Sequence, residues 1–212
     1  MVVSSFLELA LATESAKKVL EIANEVGAFL KGEFTLHSGR KSGHYFDGKK
    51  ISLYPEGTYW VGKAVLDALA DIQIDSIGGL SIGADPIVTA VALVSWQEGR
   101  PIPAFIVREV PKEHGNYIKV AGYLKEGSRV AIVDDVITTG DSVNKAIAAA
   151  EAANCKVVKV VVLVDRGEGG SDKLKEKGYD FTTILNLGPS GEPTIDESSA
   201  ATGEVREGVL PR

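Results

Sequence analysis

The sequence predicts an α/β domain: a central, mostly parallel sheet flanked by helices. Three observations carry that expectation. Residues 156–166, KVVKVVVLVDR, form a long strand dominated by valine. Residues 129–135, RVAIVDD, form a second apolar strand, and DSVNKAIAAAEAAN between the two reads as a helix. Continuous apolar strands alternating with helices belong to parallel sheets covered on both faces.

The other elements follow in chain order. Residues 13–30 place Ala16, Val19, Leu20, Ala23 and Phe29 near helical spacing, with Thr13 as N-cap. Residues 32–51, GEFTLHSGRKSGHYFDGKKI, are short, β-prone, turn-rich and basic, and TYWVGKAVLDALADI is helical again. IDSIGGLSIGADP reads as a strand entering a glycine turn, with Asp85 capping a helix whose first residue is Pro86. PAFIVRE is a strand, and residues 110–128 are polar and glycine-punctuated, which predicts an exposed loop. Beyond Gly188 the chain is small, polar and acidic, and a mobile tail is expected, with docking as the alternative. No internal repeat interrupts this order. One structural domain is expected, divided into an N-terminal part (1–60), a core (61–187) and a tail (188–212).

Composition narrows the function. At 212 residues and 44% hydrophobic, the chain suffices for one domain with a full core. A net charge of −6 argues against a nucleic-acid or membrane-surface partner, so an anionic ligand would need a local cluster of cations. Cys155 is the sole cysteine, which excludes an internal disulfide and points to a reducing, cytoplasmic location. Its setting, AANCKVV, suits a small residue at a helix end better than a nucleophile. The N-terminus has no basic start, and Glu8 interrupts its apolar run, so neither a signal peptide nor a membrane span is expected.

Residues 130–143, VAIVDDVITTGDSV, are the most informative stretch. Two adjacent acids at the end of a buried strand repel each other, and something must offset that. Ligands of open α/β sheets bind beyond the carboxyl ends of the strands. Behind Asp134 and Asp135, residues 138–142 turn into a helix N-terminus, whose unpaired N–H groups and positive dipole end favour an anion. Carboxylates beside an anion cradle suit a ligand with hydroxyls and a phosphate, as in a ribose 5-phosphate. A Walker A loop would need Gly-Lys-Ser/Thr, which is absent.

This string resembles the phosphoribosyl pyrophosphate (PRPP) motif of type I phosphoribosyltransferases. The resemblance implies that family's α/β fold, with a small N-terminal hood over the sheet. It implies PRPP binding by Asp134, Asp135, Val136, Ile137, Thr138, Thr139, Gly140, Asp141 and Ser142. REVPKEHG supplies Arg108, Lys112 and His114, cations that a mobile loop could close over pyrophosphate. The glycine turn at GGLSIGADP fits a second phosphate contact.

Further segments narrow the resemblance to orotate phosphoribosyltransferases: GEFTLHSGRKSGHYFD, REVPKEHG, VDDVITTG, GADPIVTAVA and LVDR, together covering roughly residues 25–170. Orotate carries a carboxylate that uracil lacks, and the guanidinium fork of Arg166 suits a bidentate contact to it. By resemblance, Arg166 and Thr138 hold orotate, with Tyr45 and Phe46 as an aromatic pair near the base. The implied activity is transfer of the phosphoribosyl group from PRPP to orotate, giving orotidine 5′-monophosphate and pyrophosphate in pyrimidine biosynthesis. Lys112, Arg108 and His114 would neutralise the leaving group, while Asp134 and Asp135 hold the ribose hydroxyls. Magnesium would arrive on PRPP rather than on a protein site. The resemblance also implies a homodimer in which the catalytic loop reaches the neighbouring subunit's site.

Three positions depart from the family pattern. His37 and Gly83 stand where lysines are expected, and Glu109 follows Arg108 where a second lysine is common. These departures keep two alternatives open: a phosphoribosyltransferase for another base, or a non-catalytic regulator that senses PRPP.

Overall fold

The computed structural model describes residues 2–35, 41–112, 115–188 and 191–195; the side chains of 2–13, 35, 42, 110–112 and 115–118 lie outside that description. Helix α1 (Val2–Glu25) leads into the antiparallel hairpin β1 (Phe29–Thr35) and β2 (Lys41–Phe46), a two-stranded sheet of its own. Helices α2 (Gly48–Ser52) and α3 (Pro55–Ala68) follow. Next come β3 (Ser76–Leu80), α4 (Asp85–Gln97), β4 (Ala104–Lys112), β5 (Gly115–Gly122) and β6 (Arg129–Ile137). The chain continues through α5 (Asp141–Ala152), β7 (Lys156–Asp165), α6 (Gly170–Glu176), β8 (Phe181–Leu187) and β9 (Pro193–Ile195).

Seven strands form the main sheet in the order β5-β4-β3-β6-β7-β8-β9. The five inner strands run parallel, and the edge strands β5 and β9 are antiparallel to their neighbours. Strand alternation divides the core in two. Ala131, Val133, Val161 and Leu163 pack with residues of α1, α3 and α4, whereas Val130, Ile132, Val160 and Val162 pack with residues of α5 and α6. This two-sided burial is what the valine-rich runs predict.

Connections from β3 run through α4 to β4 on one side, and connections from β6 run through α5 to β7 on the other. The carboxyl ends of β3 and β6 therefore flank the switch point, where such sheets open a binding crevice. Asp134 and Asp135 lie on β6 beside that crevice.

Four expectations need correction. Helix α1 spans Val2–Glu25 rather than 13–30, so Thr13 lies inside it and Phe29 begins a strand. Gly27, at φ +62°, ends the helix, and Ala28 N–H donates to Ala23 O at 2.9 Å, a left-handed C-terminal cap. Residues 110–128 are largely not a loop: β4 and β5 pair from Phe105–Gly122 to Lys112–Gly115. An edge strand buries one face only, so the exposed Lys119 and Ala121 flank the partly buried Val120 without preventing pairing. Asp85 is the first helical residue, not the cap, and its Oδ2 accepts from Ser81 Oγ at 2.7 Å. Part of the tail is docked, because β9 pairs with β8 and Gly191 is buried. Residues 196–212 lie outside the described residues.

Candidate active site at the carboxyl edge of the sheet

Asp134 is buried at 4% exposure, and Asp135 beside it is half-buried. Burial, then the neighbouring charge of Asp135, raises the Asp134 carboxyl well above its ordinary pKa. Asp135 N–H donates to Asp134 Oδ1 at 3.0 Å, which fixes the pair's relative orientation. The partner that offsets their repulsion is Lys49, whose Nζ lies 2.8 Å from Asp135 Oδ2. Burial lowers the Lys49 pKa, but the hydrogen bond and charge of Asp135, with Asp47 and Tyr45, outweigh that and leave it raised. Sequence reasoning missed Lys49. The only signal was its place in FDGKK, and nothing local puts it against a residue 86 positions away.

The glycine turn after β3 faces the same acids. A Cβ at Gly83 would stand 2.5 Å from Asp134 Oδ1 and 2.6 Å from Asp135 Oδ1, so no side chain fits there without moving them. A side chain at position 83 would have to displace both carboxylates.

Beyond the acids, residues 136–143 wrap a cavity of about 270 Å³ that Asp134 also lines. Gly140 adopts φ +86° as N-cap of α5. Asn144 Nδ2 donates to Gly140 O at 2.8 Å, and Lys177 Nζ donates to Asn144 Oδ1 at 2.7 Å. From behind, Gly170 presses on the turn, since its Cβ would lie 2.5 Å from Thr138 O. Thr138 to Ser142 are therefore brought together as a cradle at a helix N-terminus, as expected.

Arg166 follows β7 at the same edge, and its N–H donates to Ile137 O at 3.2 Å. Its side chain is 8% exposed, with Nε 3.0 Å from Glu168 Oε1. Arg166, His44, Glu168, Leu187, Gly188 and Gly191 line a second cavity of about 430 Å³. Gly191 leaves room for the His44 ring, which an added Cβ would strike. The tail segment thus closes one wall of this cavity, a role its composition did not reveal.

Tyr45 and Phe46 alternate faces on β2. Phe46 is buried against Phe29, ring centroids 4.8 Å apart, whereas Tyr45 is 41% exposed beside Phe34 at 5.5 Å. Arg108 is exposed on β4, opposite Lys119 of β5. The last paired residues of β3 and β4 are Leu80 and Val107, so residues 108–112 extend past β3 paired only with β5. At about 3.3 Å per residue, they reach roughly 16 Å past the edge of β3. Lys112 closes this hairpin; its side chain, together with His114 and His37, lies outside the described residues. Glu109 pairs with Lys145 of α5 at 2.6 Å. Among the described residues, no helix is long and apolar enough to cross a membrane.

Residues 66–187 match the model of the phosphoribosyl transferase domain family. The orotate phosphoribosyltransferase of Aquifex aeolicus is 39% identical over 171 residues, covering 81% of this chain and 90% of that protein. That of Rhodopseudomonas palustris is 43% identical over 161 residues, covering 74% and 86%. Among solved structures, Mycobacterium tuberculosis orotate phosphoribosyltransferase in complex with PRPP superposes with a TM-score of 0.65 at 30% identity, covering 83% of this chain and 96% of that one.

Proposed function

The chain belongs to the orotate phosphoribosyltransferases, within the phosphoribosyl transferase domain family, and from that premise we propose that it transfers the phosphoribosyl group of PRPP to orotate. The products are orotidine 5′-monophosphate and pyrophosphate, a step of pyrimidine biosynthesis. One observation carries the reading: the acid pair, the anion cradle and a buried arginine stand at adjoining ends of β6 and β7.

Each group has a part to play. The cradle at residues 138–142 receives the 5-phosphate through backbone N–H groups at the start of α5. Asp134 and Asp135 accept from the ribose hydroxyls next to it. Arg166 offers its fork to the orotate carboxylate, and Glu168, on the Nε edge, fixes the guanidinium plane before the base arrives. Thr138 joins the base from the cradle side. Tyr45 is the exposed member of the aromatic pair and the one able to meet the base, while Phe46 is buried against Phe29.

Orotate N1 then bonds to ribose C1 as the C1–oxygen bond to pyrophosphate breaks, and the bonding pair leaves with the pyrophosphate. Charge builds on the departing oxygens, and Lys112, Arg108 and His114 on the β4–β5 hairpin are the cations to meet it. Positive charge develops on the ribose, where the carboxylates stabilise it. Magnesium would arrive on PRPP rather than on a protein site and would supply charge neutralisation to the departing diphosphate. The protein acts as a cytoplasmic homodimer, with the hairpin extending toward the partner's crevice.

A spectrophotometric assay with orotate, PRPP and magnesium, run beside uracil, hypoxanthine and adenine, tests this directly. Turnover with orotate alone is expected. Turnover with another base and none with orotate would overturn the substrate, and PRPP binding without any turnover would favour a regulator.

A further inference from the structure

Lys49 has no place in the mechanism above, yet its ammonium touches the acid that grips the sugar. Its backbone is held firmly. Asp47 Oδ1 accepts from Lys49 N–H at 3.2 Å, Asp47 N–H donates to Ala28 O at 2.9 Å, and Lys50 Nζ donates to Gly27 O at 3.0 Å. These bonds pin α2 to the end of α1 and the start of the hairpin. Gly48 allows the close approach, since a Cβ there would lie 3.0 Å from Asp135 Cβ. From this anchor the side chain, 39% exposed, spans to Asp135 Oδ2.

The two oxygens of Asp135 therefore face different surroundings. Oδ2 meets Lys49, and Oδ1 stands against the backbone of Gly83, where an added Cβ would lie 2.6 Å from it. We propose that Lys49 is a positioning residue for PRPP: its ion pair to Oδ2, made from a pinned backbone, holds the Asp135 carboxylate in one orientation for the ribose. This inference rests on the reading of the acid pair as the sugar grip. It also explains how a pair of adjacent acids can accept a highly anionic ligand, since Lys49 cancels one of their charges where no cation fits at position 83.

The charged and titratable groups facing this cluster come from three places. Asp134 lies beside Asp135 on β6, Asp47 lies two residues before Lys49, and Tyr45 of β2 is within electrostatic reach of the ammonium. Burial and the charge of Asp135 raise the Asp134 pKa, and the charge of Lys49 opposes that rise. Without Lys49, Asp135 loses its counter-charge and the contact that holds its orientation.

The test compares wild-type enzyme with Lys49→Met, Lys49→Gln and Lys49→Arg in steady-state kinetics, varying each substrate separately. With Met or Gln, KM for PRPP should rise about tenfold, the loss expected for one charged hydrogen bond. KM for orotate should stay within about twofold, and Arg should restore the affinity for PRPP. Because Lys49 is partly exposed, a cooperative melting curve is expected for all three variants. An unchanged KM for PRPP, or equal losses for both substrates, would overturn the role of Lys49 while leaving the activity standing. A wild-type enzyme without orotate-dependent PRPP turnover would overturn the underlying reading instead.

Discussion

Glu109 of β4 and Lys145 of α5 form an ion pair with Oε1 and Nζ 2.6 Å apart. The pair ties the stem of the cation-bearing hairpin to the helix that starts at the phosphate cradle. It gives the acid at position 109 a local partner, so its negative charge is partly neutralised before it can act on pyrophosphate. Both side chains are substantially exposed, and an exposed pair contributes about 0.2–1 kcal/mol. A double-mutant cycle of Glu109→Gln and Lys145→Gln, followed by urea unfolding, should give a coupling in that range at low salt. The coupling should vanish near 1 M salt, where the Debye length falls to about 3 Å.

Lys112→Ala should leave the melting temperature nearly unchanged and lower turnover by about 10²–10³-fold, the cost of removing one charge-stabilising donor. The measurement is kcat at saturating orotate and PRPP, with circular dichroism as the check on folding. Unchanged turnover would remove the hairpin from the chemistry.

Arg166→Ala should separate the substrates. Truncating one member of a buried charged pair costs about 2–5 kcal/mol of binding, so orotate affinity should fall by about a hundredfold or more. PRPP binding by calorimetry should change little. Some stability is lost as well, because Glu168 is left without the Nε contact it makes at 3.0 Å. Equal loss for both ligands would place the base elsewhere.

Asp134 gives a pH signature. Its folded pKa is raised, so the protonated form is the one that folding favours. That contribution is full below the unfolded aspartate value of about 3.9 and is lost as pH rises through the raised value. Asp134→Asn should therefore melt above wild type at pH 8, with the gap closing toward pH 4. PRPP affinity should be lost at both. A variant less stable than wild type at pH 8 would contradict the electrostatic strain assigned to this site.

Much of this was legible along the chain. The valine-rich strands, the helix between them and the turn at residues 138–142 depend on local periodicity and backbone preference, which each segment carries within itself. The acid pair was visible for the same reason, since two adjacent charges closing an apolar strand are a local anomaly. The edge strand β5 was obscured because Lys119 and Ala121 face water, and one-sided burial leaves a weak pattern. Helix α1 was read too short at its start and too far at its end, although Gly27 held the stop signal.

By itself the sequence determined the inner parallel strands, the helices between them and the edge where the ligand must lie, because these follow from short-range pattern. Only the folded chain decided what stands against what: Lys49 on Asp135, Gly83 against both acids, Gly191 beneath His44, Lys145 on Glu109. Those contacts join residues far apart in the chain, and a charge or a missing Cβ says nothing of its partner until the backbone has brought the two together.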